Sequence, residues 1–262
     1  MAGTAMELYR KAKRFGTWDP EDIDLEPDRA HWAALSPEHR EALIGTCSTF
    51  YRGEESVADT LAPWLMAMPT LQERMFLSTQ LLEEMKHTEF FVRYFQEVLP
   101  QVNAAEHFAG NLQGVLVDDI ADVSARIRRS LDGDARGRMA VLVEGVTHYH
   151  GIIEGLLAMA GYERLDETWP FPDAFPGLRE GFARIREDEG RHISFGIDFL
   201  HRQCAAEAGA REVVEATFAR FVPTLLAGRE DEPPAATRYR ELLTACYTRR
   251  RREIGLNGGD SR

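Results

Sequence analysis

Apolar residues recur at steps of three and four along most of the 262-residue chain, and alternating runs of the strand type are few, so the pattern predicts helices throughout. The first long helix opens at Ser36-Pro37-Glu38, where Ser36 can cap and Pro37 takes the first helical position, and runs to about Met68 before Pro69. A second spans Leu71 to Leu99 and stops at Pro100. A third, weaker pattern covers Asn111 to about Leu131 and ends in the turn-forming DGDARG. The fourth, from Arg138 to Gly161, is apolar nearly all round and is expected at the centre. A proline-rich connection, ERLDETWPFPDAFPG, leads to a fifth helix over Leu178 to Ala206. Two more are expected at Arg211 to Leu226 and Thr237 to Glu253, with REDEPPA between them. Residues 1–254 read as a single domain and 255–262 as a flexible tail.

Four of these helices carry acids where core side chains belong. The first reads Leu43, Cys47, Phe50, Glu54, Val57, Leu61, Leu65, Met68 along one stripe. The second reads Leu77, Leu81, Glu84, His87, Phe91, Phe95, Val98, and the fifth reads Leu178, Phe182, Ile185, Glu189, His192, Gly196, Phe199. Glu154 on the fourth completes the set. Buried carboxylates cost several kcal/mol each unless paired, and two histidines do not balance four glutamates, so divalent cations are the natural partners. One Glu-x-x-His is expected by chance. The order Glu, Glu-x-x-His, Glu, Glu-x-x-His, one element per long helix, is that of di-metal carboxylate sites in ferritin-like bundles. The fold class is therefore all-α, with a ferritin-like four-helix bundle core and additional helices. Mixed oxygen and nitrogen ligation favours iron or manganese over zinc or copper, and such a pair can reduce dioxygen. Glu55, Glu83, Asp59 and Glu187 are expected on solvated faces, and His31 and His107 on ordinary surface.

Composition narrows the partners. With 31 basic against 43 acidic residues the formal charge is -12, which repels nucleic acid and anionic membranes. Cys47, Cys204 and Cys246 are far apart and suit reduced thiols. No apolar run reaches membrane-spanning length, and MAGTAMELYRKAKRFG lacks the apolar segment of a secretion signal. A cytoplasmic location with no membrane insertion is expected.

THYHGIIEGL, residues 147–156, presents His150 and Glu154 on one helical face, the arrangement of a metal-ligand pair. Two Glu-x-x-His units already supply the imidazoles, so Glu154 alone is retained.

From Trp18 to about Phe199 the chain resembles the ligand-binding oxidases related to ribonucleotide reductase small subunits, which use a manganese/iron cofactor. In that family a valine three residues after the first glutamate ligand becomes ether-linked to a tyrosine five residues before the third. GEESV places Val57 three after Glu54, and YHGIIE places Tyr149 five before Glu154. The resemblance implies that Glu54, Glu84 and His87 hold manganese, that Glu154, Glu189 and His192 hold iron, that Glu84 bridges, and that Val57 and Tyr149 form the link. It further implies a long-chain fatty acid ligand, dioxygen as co-substrate and a homodimer, for which the amphipathic N-terminal part offers one interface. Trp18 and Asp188 resemble the tryptophan and aspartate that connect the first histidine ligand to the outside in reductase subunits; packing alone is the other reading of Trp18. Five residues on a regular helix differ by about 140° in direction, so a π-bulge between Tyr149 and Glu154 is expected if both face the metals.

Three other readings stay open. A reductase small subunit normally stores a radical on a tyrosine four residues after the first histidine ligand. Here that residue is Phe91, as in manganese/iron subunits, and the terminal REIGLNGGDSR lacks the aromatic residue expected of a docking tail. An iron-storage bundle needs only four helices. A plain scaffold would bind no metal.

Overall fold

The computed structural model describes residues 3–100, 112–168, 173–228 and 234–256, and every regular element among them is helical. In chain order these are α1 (Ala5–Phe15), a 3-10 turn (Pro20–Asp22), α2 (Glu26–Ala34), α3 (Pro37–Thr60), α4 (Ala62–Ala67), α5 (Leu71–Glu97) and α6 (Leu112–Ser130). Then follow α7 (Ala135–Val146), a π-helical stretch (Thr147–Ala158), α8 (Met159–Thr168), α9 (Pro176–Ala206), α10 (Ala208–Leu226) and α11 (Pro234–Ile254).

Local chemistry explains where the elements begin and end. Ser36 accepts from the His39 N–H at 3.3 Å to start α3. Thr70 and Glu73 form a reciprocal capping box at the start of α5. The single helix expected from Ser36 to Met68 is broken at Leu61, because Pro63 has no N–H to donate and sits in the first turn of a new helix, α4. Asp134 lies within the predicted turn but accepts from the Gly137 N–H at 2.8 Å, so α7 starts three residues before Arg138. The helical run then continues to Thr168, past the expected end at Gly161. The first two residues assigned to the tail are held in place: Leu256 is buried, and Arg211 donates to the carbonyls of Gly255 and Leu256. The rest of the tail and His107 lie outside the described residues.

The chain groups into two compact units. One comprises Tyr9–Ala125 and Phe171–Asp188. Its centre is the packing of α3 and α4 against α5, around the fully buried rings of Trp64, Phe76, Phe90 and Phe91. Here the Asp28 carboxylate, buried on α2, accepts from the N–H groups of Gly177 (3.0 Å) and Leu178 (2.8 Å) and from the Tyr94 hydroxyl (3.1 Å), capping α9 from outside its own sequence. His31 is not plain surface: it is half-buried and accepts from the Phe175 N–H at 3.1 Å.

The other unit comprises Met1–Leu8, Arg126–Pro170 and Glu189–Arg262. The π-helical stretch lies at its heart, packed by α10 and α11. Two glycines permit this. A Cβ on Gly155 would lie 2.6 Å from the His150 carbonyl oxygen five residues earlier, and a Cβ on Gly196 of α9 would overlap the side chain of His150. All three cysteines are free thiols.

Gly196→Ala is expected to lower stability by about 1–3 kcal/mol through overpacking. Gly45→Ala, with no atom within 4 Å of the new methyl group, should raise it by about 0.5–1 kcal/mol. Chemical denaturation of both variants checks the pair.

Candidate metal centre

Glu54 rises from α3, and Glu84 and His87 from α5, the helix α3 packs against. Glu84 and His87 are one turn apart and share a face. All three are inside, at 8%, 1% and 0% exposure. The Nδ1 atom of His87 lies 3.2 Å from a Glu54 oxygen and 3.6 Å from a Glu84 oxygen. Gln80, buried one turn before Glu84, donates to it at 3.3 Å. Burial alone would favour neutral His87, but the Glu54 carboxylate, aided by hydrogen bonds to Asp188 and Glu84, holds its pKa well above the ordinary 6.5.

Outside this triad, Asp188 is a shared acceptor. Its Oδ2 takes the Trp18 indole N–H at 2.8 Å and lies 3.2 Å from His87 Nε2, with Lys86 Nζ 3.9 Å away. Trp18 stacks on the His87 ring at 6.2 Å, while Lys86 sits 4.6 Å over the indole and donates to the carbonyls of Gly16 and Trp18. Trp18 is therefore more than a packing anchor. Asp188 fixes which imidazole nitrogen faces the carboxylates, the usual task of an outer carboxylate beside a metal-ligating histidine. Phe91 is fully buried among Phe50, Phe90 and Phe182.

The second triad belongs to the other unit. Glu154 comes from the π-helical stretch, and Glu189 and His192 from α9, at 3%, 3% and 0% exposure. The Nδ1 atom of His192 lies 3.5 Å from Glu154 and 3.8 Å from Glu189. The expected bulge is present and is longer than a single turn. Because π-helical bonds close over five residues, Tyr149 and Glu154 return to nearly the same face. Tyr149 is buried, as is Val57 on α3. His150 packs against Phe195 and Gly196, and His148 against Phe221.

Each triad brings one donor atom per residue within 4.8 Å of the others. Four carboxylates and two imidazoles, all buried, are a donor set that fits two divalent ions of the iron or manganese type. Sequence reasoning overlooked Gln80 and Lys86. Gln80 left a trace, a polar residue one turn from Glu84 on the same side of the helix. Glu83, expected on a solvated face, is buried, since α5 is covered on more than one side; Glu187 is exposed as expected. Glu55 is half-buried and accepts from Tyr51 and Arg52, and the Asp59 side chain lies outside the described residues.

The sequence profile described as "Ribonucleotide reductase, small chain" matches residues 3–223. The chain belongs to that family. Among solved structures, an R2-like ligand-binding oxidase with a valine-to-alanine substitution and an anaerobically reconstituted Mn/Fe cofactor matches with a TM-score of 0.84 at 26% identity, covering 96% of this chain and 93% of that one. A tyrosine-to-phenylalanine form of an R2-like ligand-binding oxidase, also with Mn/Fe, matches with the same TM-score, identity and coverage. The R2-like ligand-binding oxidase from Sulfolobus acidocaldarius shares the fold, with a TM-score of 0.80 at 24% identity over 96% of this chain and 91% of that one. A member of this family with a buried carboxylate and histidine set able to take two metal ions is a metal-dependent oxidoreductase.

Three expectations concern His87 and its carboxylate. Metal loading must expel the extra proton, so apparent affinity should climb as pH rises, with proton release measurable by calorimetry in buffers of different ionisation enthalpy. Without metal, the raised pKa means that the His87 ion pairs contribute stability that is complete below about pH 6.5 and lost as pH rises through the folded-state value. Asp188→Asn should weaken metal binding by about 10–100-fold, read by chelator competition.

Proposed function

We propose that the protein is a dioxygen-activating manganese/iron oxidase that binds a long-chain fatty acid or similar lipid and forms an internal ether link between Val57 and Tyr149. It acts as a cytoplasmic homodimer. In this reading Glu54, Glu84 and His87 hold manganese, Glu154, Glu189 and His192 hold iron, and Glu84 bridges. The observation that carries it is the π-helical stretch. It turns Tyr149 toward the same side as Glu154, which a straight α-helix with this spacing would not do.

The similar oxidases support the assignment. They include valine, tyrosine and glycine variants with reconstituted metal, and the substituted glycine stands four positions before the valine, as Gly53 stands before Val57 here. A bound manganese/iron pair would supply the redox capacity to pass two electrons from the protein to dioxygen. The chain's own part is to bury both partners, exclude water and orient the ligands. Link formation joins a Val57 side-chain carbon to the Tyr149 phenol oxygen. One C–H and one O–H bond break, and the two electrons and two protons leave to dioxygen, giving hydrogen peroxide.

A second reading, the small subunit of ribonucleotide reductase, is favoured by one feature, the Trp18, Asp188 and His87 hydrogen-bonded series. Nucleotide reduction with a cognate large subunit distinguishes it. At the position where such subunits store a tyrosyl radical, this chain has Phe91.

After aerobic loading with manganese and iron, peptide mass spectrometry should find the Val57 and Tyr149 peptides joined, with two hydrogens lost from the intact protein. Tyr149→Phe should keep the full mass. An unlinked wild-type chain after aerobic loading sinks the oxidase reading.

A further inference from the structure

Trp18 presents a difficulty for an oxidase. An indole gives up one electron more readily than most side chains, and this one touches a metal ligand: its ring stacks on the His87 imidazole at 6.2 Å, with the planes 15° apart. Its N–H and the Nε2 atom of His87 share Asp188 Oδ2, at 2.8 and 3.2 Å. The indole is half-buried, so an electron taken from it can be replaced from outside. Joining Val57 to Tyr149 withdraws two electrons from that pair. An electron drawn from Trp18 in place of one of them leaves an indole radical cation and an unfinished link. The Asp188 carboxylate favours this loss, because it attracts the positive charge left on the ring.

Lys86 opposes it. Its Nζ lies 4.6 Å from the centre of the Trp18 ring, over the face, and 3.9 Å from Asp188 Oδ2. The backbone that carries the indole also holds the ammonium there: Lys86 donates to the carbonyls of Gly16 (2.8 Å) and Trp18 (3.3 Å), and its side chain is only 12% exposed. A cation over an aromatic face is attracted to the electrons of the neutral ring. Once the ring has lost an electron, that attraction becomes a repulsion between like charges, and low exposure to water leaves it weakly screened. The same charge offsets the pull of Asp188. Both effects make Trp18 harder to oxidise. We propose that Lys86 is a positioning residue: its charge, fixed over Trp18, withholds the electrons of the indole, so that the oxidising capacity is directed to Val57 and Tyr149. The hold of Lys86 on Trp18 stands on geometry alone, whereas its benefit to the link rests on the oxidase reading.

The metal-free protein tests the hold on Trp18. Hexachloroiridate(IV) removes one electron from an indole and is itself negative, so deleting a lysine slows its approach and any acceleration comes from the ring. The rate due to Trp18 is the part lost in Trp18→Phe. That part is expected to rise about tenfold in Lys86→Met, which keeps the length of side chain over the ring, and to stay near the wild-type value in Lys86→Arg, whose guanidinium also lies over aromatic faces. The second measurement follows loading with manganese and iron to equal metal content. Brief exposure to dioxygen and freezing should give Lys86→Met, but not the wild type, the electron paramagnetic resonance signal of an indole radical. Peptide mass spectrometry should find the joined Val57 and Tyr149 peptides reduced about threefold in Lys86→Met, and recovered when Trp18→Phe is added. Equal hexachloroiridate rates in the wild type and Lys86→Met overturn the proposal, whether or not the link forms. Faster oxidation with an undiminished link overturns the protective role. A wild type that forms no link refutes the oxidase reading and the benefit to the link with it, while a faster Lys86→Met rate still supports the hold of Lys86 on Trp18.

Discussion

Placing four carboxylates inside a helical protein is the constraint from which the rest of this structure follows. Each ion taken out of water costs several kcal/mol, and hydrogen bonds from Gln80 and the His87 ring recover only part of it. Without metal, the first triad responds by holding a proton on His87 against the tendency of burial to remove it. Proton and metal ion are thus alternative occupants of one electrostatic requirement. The outer carboxylate, Asp188, belongs to the same requirement, because it fixes the ring so that Nδ1 faces the acids whichever cation is present.

The second triad needs more than charge. A regular helix cannot present residues five apart on one side, so the backbone widens over Thr147–Ala158. Widening brings carbonyls and neighbouring helices closer than a side chain allows, and Gly155 and Gly196 stand at the two points of contact with His150. Local backbone and glycine placement are therefore one solution to one geometric demand. The likeness to R2-like ligand-binding oxidases, at 26% sequence identity, extends over 96% of this chain.

Much of this was legible in the sequence, because the signals were periodic. Glu54, Glu84 and Glu189 interrupt apolar stripes at the positions where the structure buries them, and the five-residue spacing from Tyr149 to Glu154 anticipated the π-helical geometry. Signals without periodicity were lost. Pro63 breaks the first long helix, although the apolar steps run through it without a gap. His31 looked like surface because its partner, the N–H group of residue 175, is remote in sequence and leaves no pattern beside it; the role of Asp28, whose partners are the N–H groups of residues 177 and 178, was hidden for the same reason. Gln80 resembles any other helical glutamine until its distance to Glu84 is known.

The cap that Asp28 supplies to α9 also bears on how the chain reaches this structure. Its partners are 149 and 150 residues away, so the first turn of the longest helix is secured only when two distant parts of the chain have met. Closing so large a loop is entropically unfavourable, and contacts of such separation slow folding. Asp188 lies three turns along the same helix, so the carboxylate that orients His87 is carried on a helix whose first turn is held by a residue some 150 positions away.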